Sequence, residues 1–181
     1  ARGLNVTQTP ENLALAEAMA TRATELDPQH ADAWFVLAMV RYSRRSVLSS
    51  EPAPDRGDAE LALERAIALD PENAQARSLS AYTTICNQRQ WAQGLMRAQE
   101  AVALAPNHGG VNARLGFIYL ALGRFADAIA TYEHVLTLDP LAPPARYHHA
   151  LTLMAGDRLS ESRRAIDDGR RLLGESAFYF D

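Results

Sequence analysis

The fold class that the sequence predicts is an all-α array of stacked helical hairpins, and three observations predict it. The phrase Leu26-Asp27-Pro28 returns as Leu69-Asp70-Pro71, as Leu104-Ala105-Pro106 and as Leu138-Asp139-Pro140. Successive prolines are 43, 35 and 34 residues apart, and a period near 34 in an alanine-rich chain marks one helix-turn-helix unit per repeat. The third observation concerns size. Hairpins pack closely only where small residues occupy the helix crossings. The positions that would cross hold Ala38, Ala81, Gly116 and Ala150 in the first helices, then Ala16, Ala59, Gly94, Ala128 and Ser162, and Ala23, Ala66, Ala101, Val135 and Gly169 in the second. All but Val135 are Ala, Gly or Ser.

Each element follows from local signals. Thr9 is placed to cap a first, unpaired helix with Pro10 in its first turn, and that helix runs to about Leu26 as a half repeat over 9–27. Four paired repeats follow over 31–70, 74–105, 109–139 and 143–173. Each proline stops a helix, because it lacks a backbone donor and turns the preceding residue away from helical angles. Leu122-Gly123-Arg124 and Ala155-Gly156-Asp157 supply turns between paired helices. The extra length of the first full repeat falls in Ser43 to Asp55, whose serines, Pro52 and Pro54 predict an extended surface loop. Residues 176–181 begin a truncated further repeat, with Phe180 at its anchor position. Both ends therefore look cut through repeats, and the parent protein is expected to continue. The apolar Ala177-Phe178-Tyr179-Phe180 segment is expected to pack within its own molecule in preference to the groove of a neighbour.

Composition removes several classes of function. The chain of 181 residues has 18 arginines and no lysine, so it has no P-loop lysine, no kinase-type ATP-anchoring lysine and no Schiff-base amine. Its single cysteine, Cys86, can neither close an internal disulfide nor furnish a zinc site with paired thiolates. A formal charge of -4 leaves no surplus of positive charge for nucleic acid or anionic lipid. There is no secretory segment and no apolar run near the roughly 20 residues that span a bilayer; a soluble, cytoplasmic protein that binds neither membrane nor nucleic acid is expected.

The chemistry-bearing residues read as structural. Asp27, Asp70 and Asp139 sit at the repeat boundaries as turn residues. His148 and His149 are adjacent, so on a helix they diverge by about 100 degrees and cannot share a metal; His149 falls in a packing slot as a hydrogen-bonded, semi-buried residue, while His30 and His108 fall in exposed turns. Asn107-His108-Gly109-Gly110 opens a helix without the glycine spacing of a nucleotide loop. Cys86 lacks an adjacent histidine and reads as inert. Arg163, Arg164, Arg170 and Arg171 are interleaved with Glu161, Asp167 and Asp168, which predicts an ion-paired outer face. No convergent polar constellation of an enzyme is present, and no catalytic residue, metal or cofactor is expected.

On this pattern the chain resembles the tetratricopeptide repeat, most closely over Val111 to Pro140. The family's large-small pair stands as Leu115-Gly116, its aromatic as Tyr119, its turn as Gly123, and its second-helix residues as Phe125, Ala128, Tyr132 and Pro140. The family's tryptophan is replaced by Asn112 here and present as Trp34 earlier. The resemblance implies a solenoid, an α-α superhelix of about four and a half hairpins, whose first helices line a concave groove. Carried over residue by residue, the lining is Phe35, Met39 and Tyr42; Ser78, Tyr82 and Ile85; Ala113, Phe117 and Leu120; Tyr147, Leu151 and Met154. Chaperone-tail-binding members clamp a terminal carboxylate with Lys, Arg and Asn, and none of those types stands at these positions.

The eight large members, Phe35, Met39, Tyr42, Tyr82, Phe117, Tyr147, Leu151 and Met154, form the expected partner-binding groove. Aromatic and methionine side chains suit a partner helix or a hydrophobic peptide; the alternative is burial between hairpins or beneath another part of the parent protein. The expected function is a non-catalytic protein-protein interaction or scaffolding module, with a protein or peptide, another domain of the parent or a second copy as partner. Thr9-Pro10-Glu11-Asn12, the first Leu-Asp-Pro, Ala33-Trp34, the proline-containing insertion and the second Leu-Asp-Pro are also similar to repeat regions attached to bacterial class III nucleotidyl cyclases and winged-helix regulators. That resemblance implies the alternative, a sensory or self-association segment of a larger signalling protein.

Overall fold

A computed structural model describes residues 9–47 and 56–174. Among the described residues there are nine helices and no strand: α1 (Pro10–Leu26), α2 (Ala31–Val47), α3 (Arg56–Leu69), α4 (Ala74–Gln88), α5 (Trp91–Leu104), α6 (Gly109–Ala121), α7 (Phe125–Leu138), α8 (Pro143–Ala155) and α9 (Leu159–Leu173). The chain divides into two compact units, Ala1–Ala76 and Arg77–Asp181.

In the first unit α1 packs on α2, and α2 on α3. Thr9 Oγ1 accepts from the Asn12 backbone N–H at 3.2 Å, so the expected cap and the proline behind it start α1 where the sequence places it. The buried layer is made of Leu13 and Ala20 from α1, Phe35, Leu37, Ala38 and Val40 from α2, and Ala62, Leu63 and Ala66 from α3. Glu17 on α1 receives Arg41 Nε at 3.1 Å and also pairs with Arg44, both on α2. Burial pushes the Glu17 carboxyl up, and the two guanidinium groups together outweigh it and hold it below the ordinary carboxylate value. Helix α2 continues to Val47 and so takes in the first residues assigned to the loop, because Ser43 to Val47 holds no helix breaker. The Pro52 and Pro54 excursion and the Ala177–Phe180 segment lie outside the described residues.

In the second unit α5 packs on α6, α6 on α7, α7 on α8 and α8 on α9, and α6 also touches α8. Ala81 and Ile85 of α4, Ala98 of α5, Leu115, Ile118 and Tyr119 of α6 and Ala128 of α7 form one core cluster. Two glycines explain how close these helices come. A Cβ at Gly94 would lie 2.2 Å from Ile85 Cγ1, and one at Gly116 would lie 3.0 Å from the Tyr132 ring. Twelve of the fourteen crossing positions are buried; the half-buried exceptions, Ala16 and Ala23, are both on the unpaired α1.

Two features recur in the turns between repeats, each in three of the four. Asp27, Asp70 and Asp139 each use Oδ1 to accept the backbone N–H two residues on, at 3.0, 3.1 and 3.0 Å, an Asx turn that accounts for the recurring aspartates. Six residues after the proline, a side chain of the next helix donates back to the proline's carbonyl: Trp34 Nε1 to Pro28 at 3.0 Å, Asn112 Nδ2 to Pro106 at 2.8 Å and Arg146 Nε to Pro140 at 2.6 Å. His108 Nδ1 accepts from the Val111 N–H, so this histidine caps α6 rather than standing free in the loop. Gly123 has φ +70 and closes α6 with Arg124 N–H donating to Tyr119 O. In the equivalent turn after α8 the left-handed residue is Asp157, at φ 60, and not the glycine before it.

This packing can be tested at two positions. Gly116→Leu drives a side chain into the Tyr132 ring, and overfilling such a contact costs about 1–3 kcal/mol; urea unfolding measures it, and an unchanged midpoint would overturn the register. The second position is His149 on α8, which is half-buried with Nε2 3.9 Å from Glu133 Oε1 and no hydrogen bond to that nitrogen. Burial, with help from Arg146 and Arg158 and against Glu133 and Glu161, lowers its pKa. The folded state then binds the proton less readily than the unfolded chain, so stability is full above the ordinary imidazole value and falls as pH drops through it. Denaturant midpoints between pH 8 and pH 5 should fall more steeply for the parent chain than for His149→Gln.

Candidate functional site

The second unit holds a cleft of about 320 Å³ lined by Leu79 and Tyr82 of α4, Ala113, Arg114 and Phe117 of α6, Tyr132 of α7, and Pro144, Ala145 and His148 of α8. Helical spacing builds its walls. Leu79 and Tyr82 are three residues apart, while Ala113 and Phe117, like Pro144 and His148, are four apart, so each helix presents one stripe. Ala113 and Ala145 are short and leave the space that the surrounding rings enclose.

Those rings contact one another in series. Tyr82 and Phe117 lie 5.4 Å apart between centroids at 57°, Phe117 meets His148 edge-on at 6.1 Å, and His148 stacks on Tyr132 at 5.8 Å and 14°. The Tyr132 hydroxyl donates to Ala113 O at 3.3 Å, and burial raises its pKa well above the usual phenol value. His148 Nδ1 donates to Pro144 O at 2.8 Å, which places the proton on Nδ1 and holds the ring against the cleft.

Arg114 is the one cation of the lining. Its Nη1 donates to Ser78 Oγ at 3.0 Å and makes a longer contact to Gly110 O at 3.5 Å. No carboxylate of the described residues pairs with it. Burial lowers its pKa, opposed in part by Tyr82, although a guanidinium of this kind stays protonated at any physiological pH.

Of the eight large residues expected to form a groove, the structure brings Tyr82 and Phe117 together in this cleft. Tyr147 lies beside it, edge-on to His148 at 5.3 Å. Leu151 is half-buried and Met154 is 50% exposed, and neither lines the cleft. Phe35, Met39 and Tyr42 belong to the first unit, where Phe35 is buried, Met39 is 37% exposed and Tyr42 is half-buried. Sequence reading missed Leu79, Arg114 and His148. All three stand two residues before a small crossing residue, Ala81, Gly116 and Ala150, so one further position of the repeat register would have found them.

Among the described residues no cluster of His, Cys, Asp and Glu could hold a metal ion, and no helix is long and apolar enough to cross a membrane.

Comparison with known proteins agrees with this architecture. Residues 88–151 and residues 11–52 match two family models, each described as a tetratricopeptide repeat. A thermophilic tetratricopeptide-repeat protein in Thermus thermophilus is similar with a TM-score of 0.77 at 18% identity, over 93% of this chain and 87% of that one. PilW, a widely conserved type IV pilus biogenesis factor, gives 0.71 at 18% identity over 94% and 83%. YrrB, a tetratricopeptide-repeat protein with an unusual peptide-binding site, gives 0.57 at 20% identity over 93% and 83%. In sequence, 90 residues are 31% identical to the human (Homo sapiens) aspartyl/asparaginyl beta-hydroxylase; the match takes in 48% of this chain and spans only 12% of that protein's length. The all-α helical-repeat class read from the sequence is the class of these structures.

Proposed function

Because the chain carries tetratricopeptide repeats, we propose that it is a non-catalytic protein-interaction module and that the cleft between α4, α6 and α8 seats a large apolar side chain of a partner peptide. The aromatic lining carries this reading. Tyr82, Phe117 and His148 offer ring faces and edges around a space left by Ala113 and Ala145, which is the form of a pocket that anchors one residue of a partner. Tyr147, Leu151 and Met154, further along α8, extend the apolar surface on which the rest of the peptide would lie. The peptide-binding site named for YrrB, a protein of similar fold, is consistent with this use. The setting we propose is a larger bacterial signalling protein, on the sequence resemblance to cyclase- and regulator-attached repeats.

Selection of a phage-displayed library of random twelve-residue peptides on the immobilised chain tests the reading. Peptides carrying Phe, Tyr, Trp, Leu or Met should be enriched, and Phe117→Ala should weaken the best of them about tenfold or more, the cost of emptying a buried anchor contact. No enrichment, or enriched peptides indifferent to Phe117→Ala, would overturn it.

A further inference from the structure

We propose that Arg114 is the specificity residue of the cleft and that the preferred partner segment places an acidic side chain next to the apolar one; the proposal rests on the cleft being the peptide site. The first observation is an unmet charge. Arg114 lines an otherwise apolar and aromatic space, and its named partners are a serine hydroxyl and a distant backbone carbonyl, both neutral. Arg41 and Arg44 share Glu17, Arg124 has Asp127, Arg158 has Glu161 and Arg171 has Asp168. Arg114, more enclosed than the last three, has no such carboxylate among the described residues.

The second observation is how the guanidinium is held. Ser78 is buried at 1% exposure, and its Oγ accepts one of the five N–H donors from Nη1. That bond anchors the fork and leaves most donors unassigned. A carboxylate accepts two parallel N–H bonds from such a fork, and a pair formed in a partly dry cleft is stronger than one in open water. Burial already disfavours the lone cation, so an incoming carboxylate supplies what the fold withholds. Phe117, three residues on from Arg114, puts the apolar seat beside the cation on one helix face. The two readouts therefore sit side by side, and a segment with Asp or Glu adjacent to an aromatic or long aliphatic residue answers both.

The same random library, displayed with its C-terminus fused so that only side chains carry negative charge, tests this. Enriched sequences should hold Asp or Glu within about two positions of the large apolar residue. The best peptide is then made with an amidated end. Changing its acid to Asn or Gln, and changing Arg114→Met in the protein, should each weaken binding roughly tenfold, with little further loss when combined, as expected of two partners in one contact. Arg114→Lys should restore part of the affinity, and unchanged thermal melting of Arg114→Met shows that the fold persists. Enrichment of neutral peptides that need Phe117 but ignore Arg114→Met overturns this inference and leaves the cleft reading standing. Failure to recover any peptide sensitive to Phe117→Ala overturns the cleft reading itself. A neutral peptide with a free terminal carboxylate that binds as well as the acidic one would reassign the charge to a chain end and overturn the side-chain assignment.

Discussion

Close approach between helix backbones is the constraint on which the rest of this structure depends. A helix pair separated by one more methyl group could not bury Tyr132 and Ile118 as completely as they are buried here, because the Tyr132 ring lies against Gly116 of α6 and Ile118 packs in one cluster with Ala98 of α5 and Ala128 of α7. Small residues at the crossings contribute little apolar area themselves. Their effect is indirect: they set the distance at which the larger side chains meet, and dispersion falls off steeply when that distance grows. The cleft inherits its width from the same spacing, since Tyr132 lines it while its ring also lies against Gly116.

Much of this was legible in the sequence because it is carried by residue types with narrow roles. The small-residue register, the Thr9 cap and the repeating Asp-Pro turn each correspond to one geometric need, and each is found where the pattern places it. Less legible was the turn after α8, where glycine at 156 suggested itself but Asp157 takes the left-handed angle. Gly156 is instead needed small, with Phe125 Cβ 3.3 Å from where its own Cβ would be. The cleft was only half legible. Tyr82 and Phe117 announce themselves as aromatic, whereas Arg114 and His148 have roles decided by the shortness of Ala113 and Ala145, a relation between helices that no single stretch of sequence displays.

A chain whose cations are all arginine uses them differently from one that mixes in lysine. The fixed fork of a guanidinium can serve a carbonyl and a carboxylate at once. Arg41 does so, with Nε on Glu17 and Nη1 on Asp58 O at 2.9 Å, and thereby joins α1, α2 and α3 through one side chain. The local pairs Arg22–Glu25, Arg124–Asp127, Arg158–Glu161 and Arg171–Asp168 are exposed, lie three positions apart along their helices, and add little. The cation of the cleft also joins two helices, through its bond from α6 to Ser78 of α4, but has no carboxylate partner among the described residues.

The return bond to the proline carbonyl has an implication for how such a chain can drift. Indole, carboxamide and guanidinium share almost nothing in size, polarity or charge, yet Trp34, Asn112 and Arg146 each aim one N–H at the same oxygen six residues back. What these three turns preserve at that point is a direction in space, not an identity. Mutation can then move among chemically distant side chains without passing through a broken turn, provided a donor of suitable reach is present at every step. Copies of one ancestral unit would lose likeness letter by letter while their joints stayed interchangeable, and resemblance between hairpins would outlive resemblance between the words that encode them.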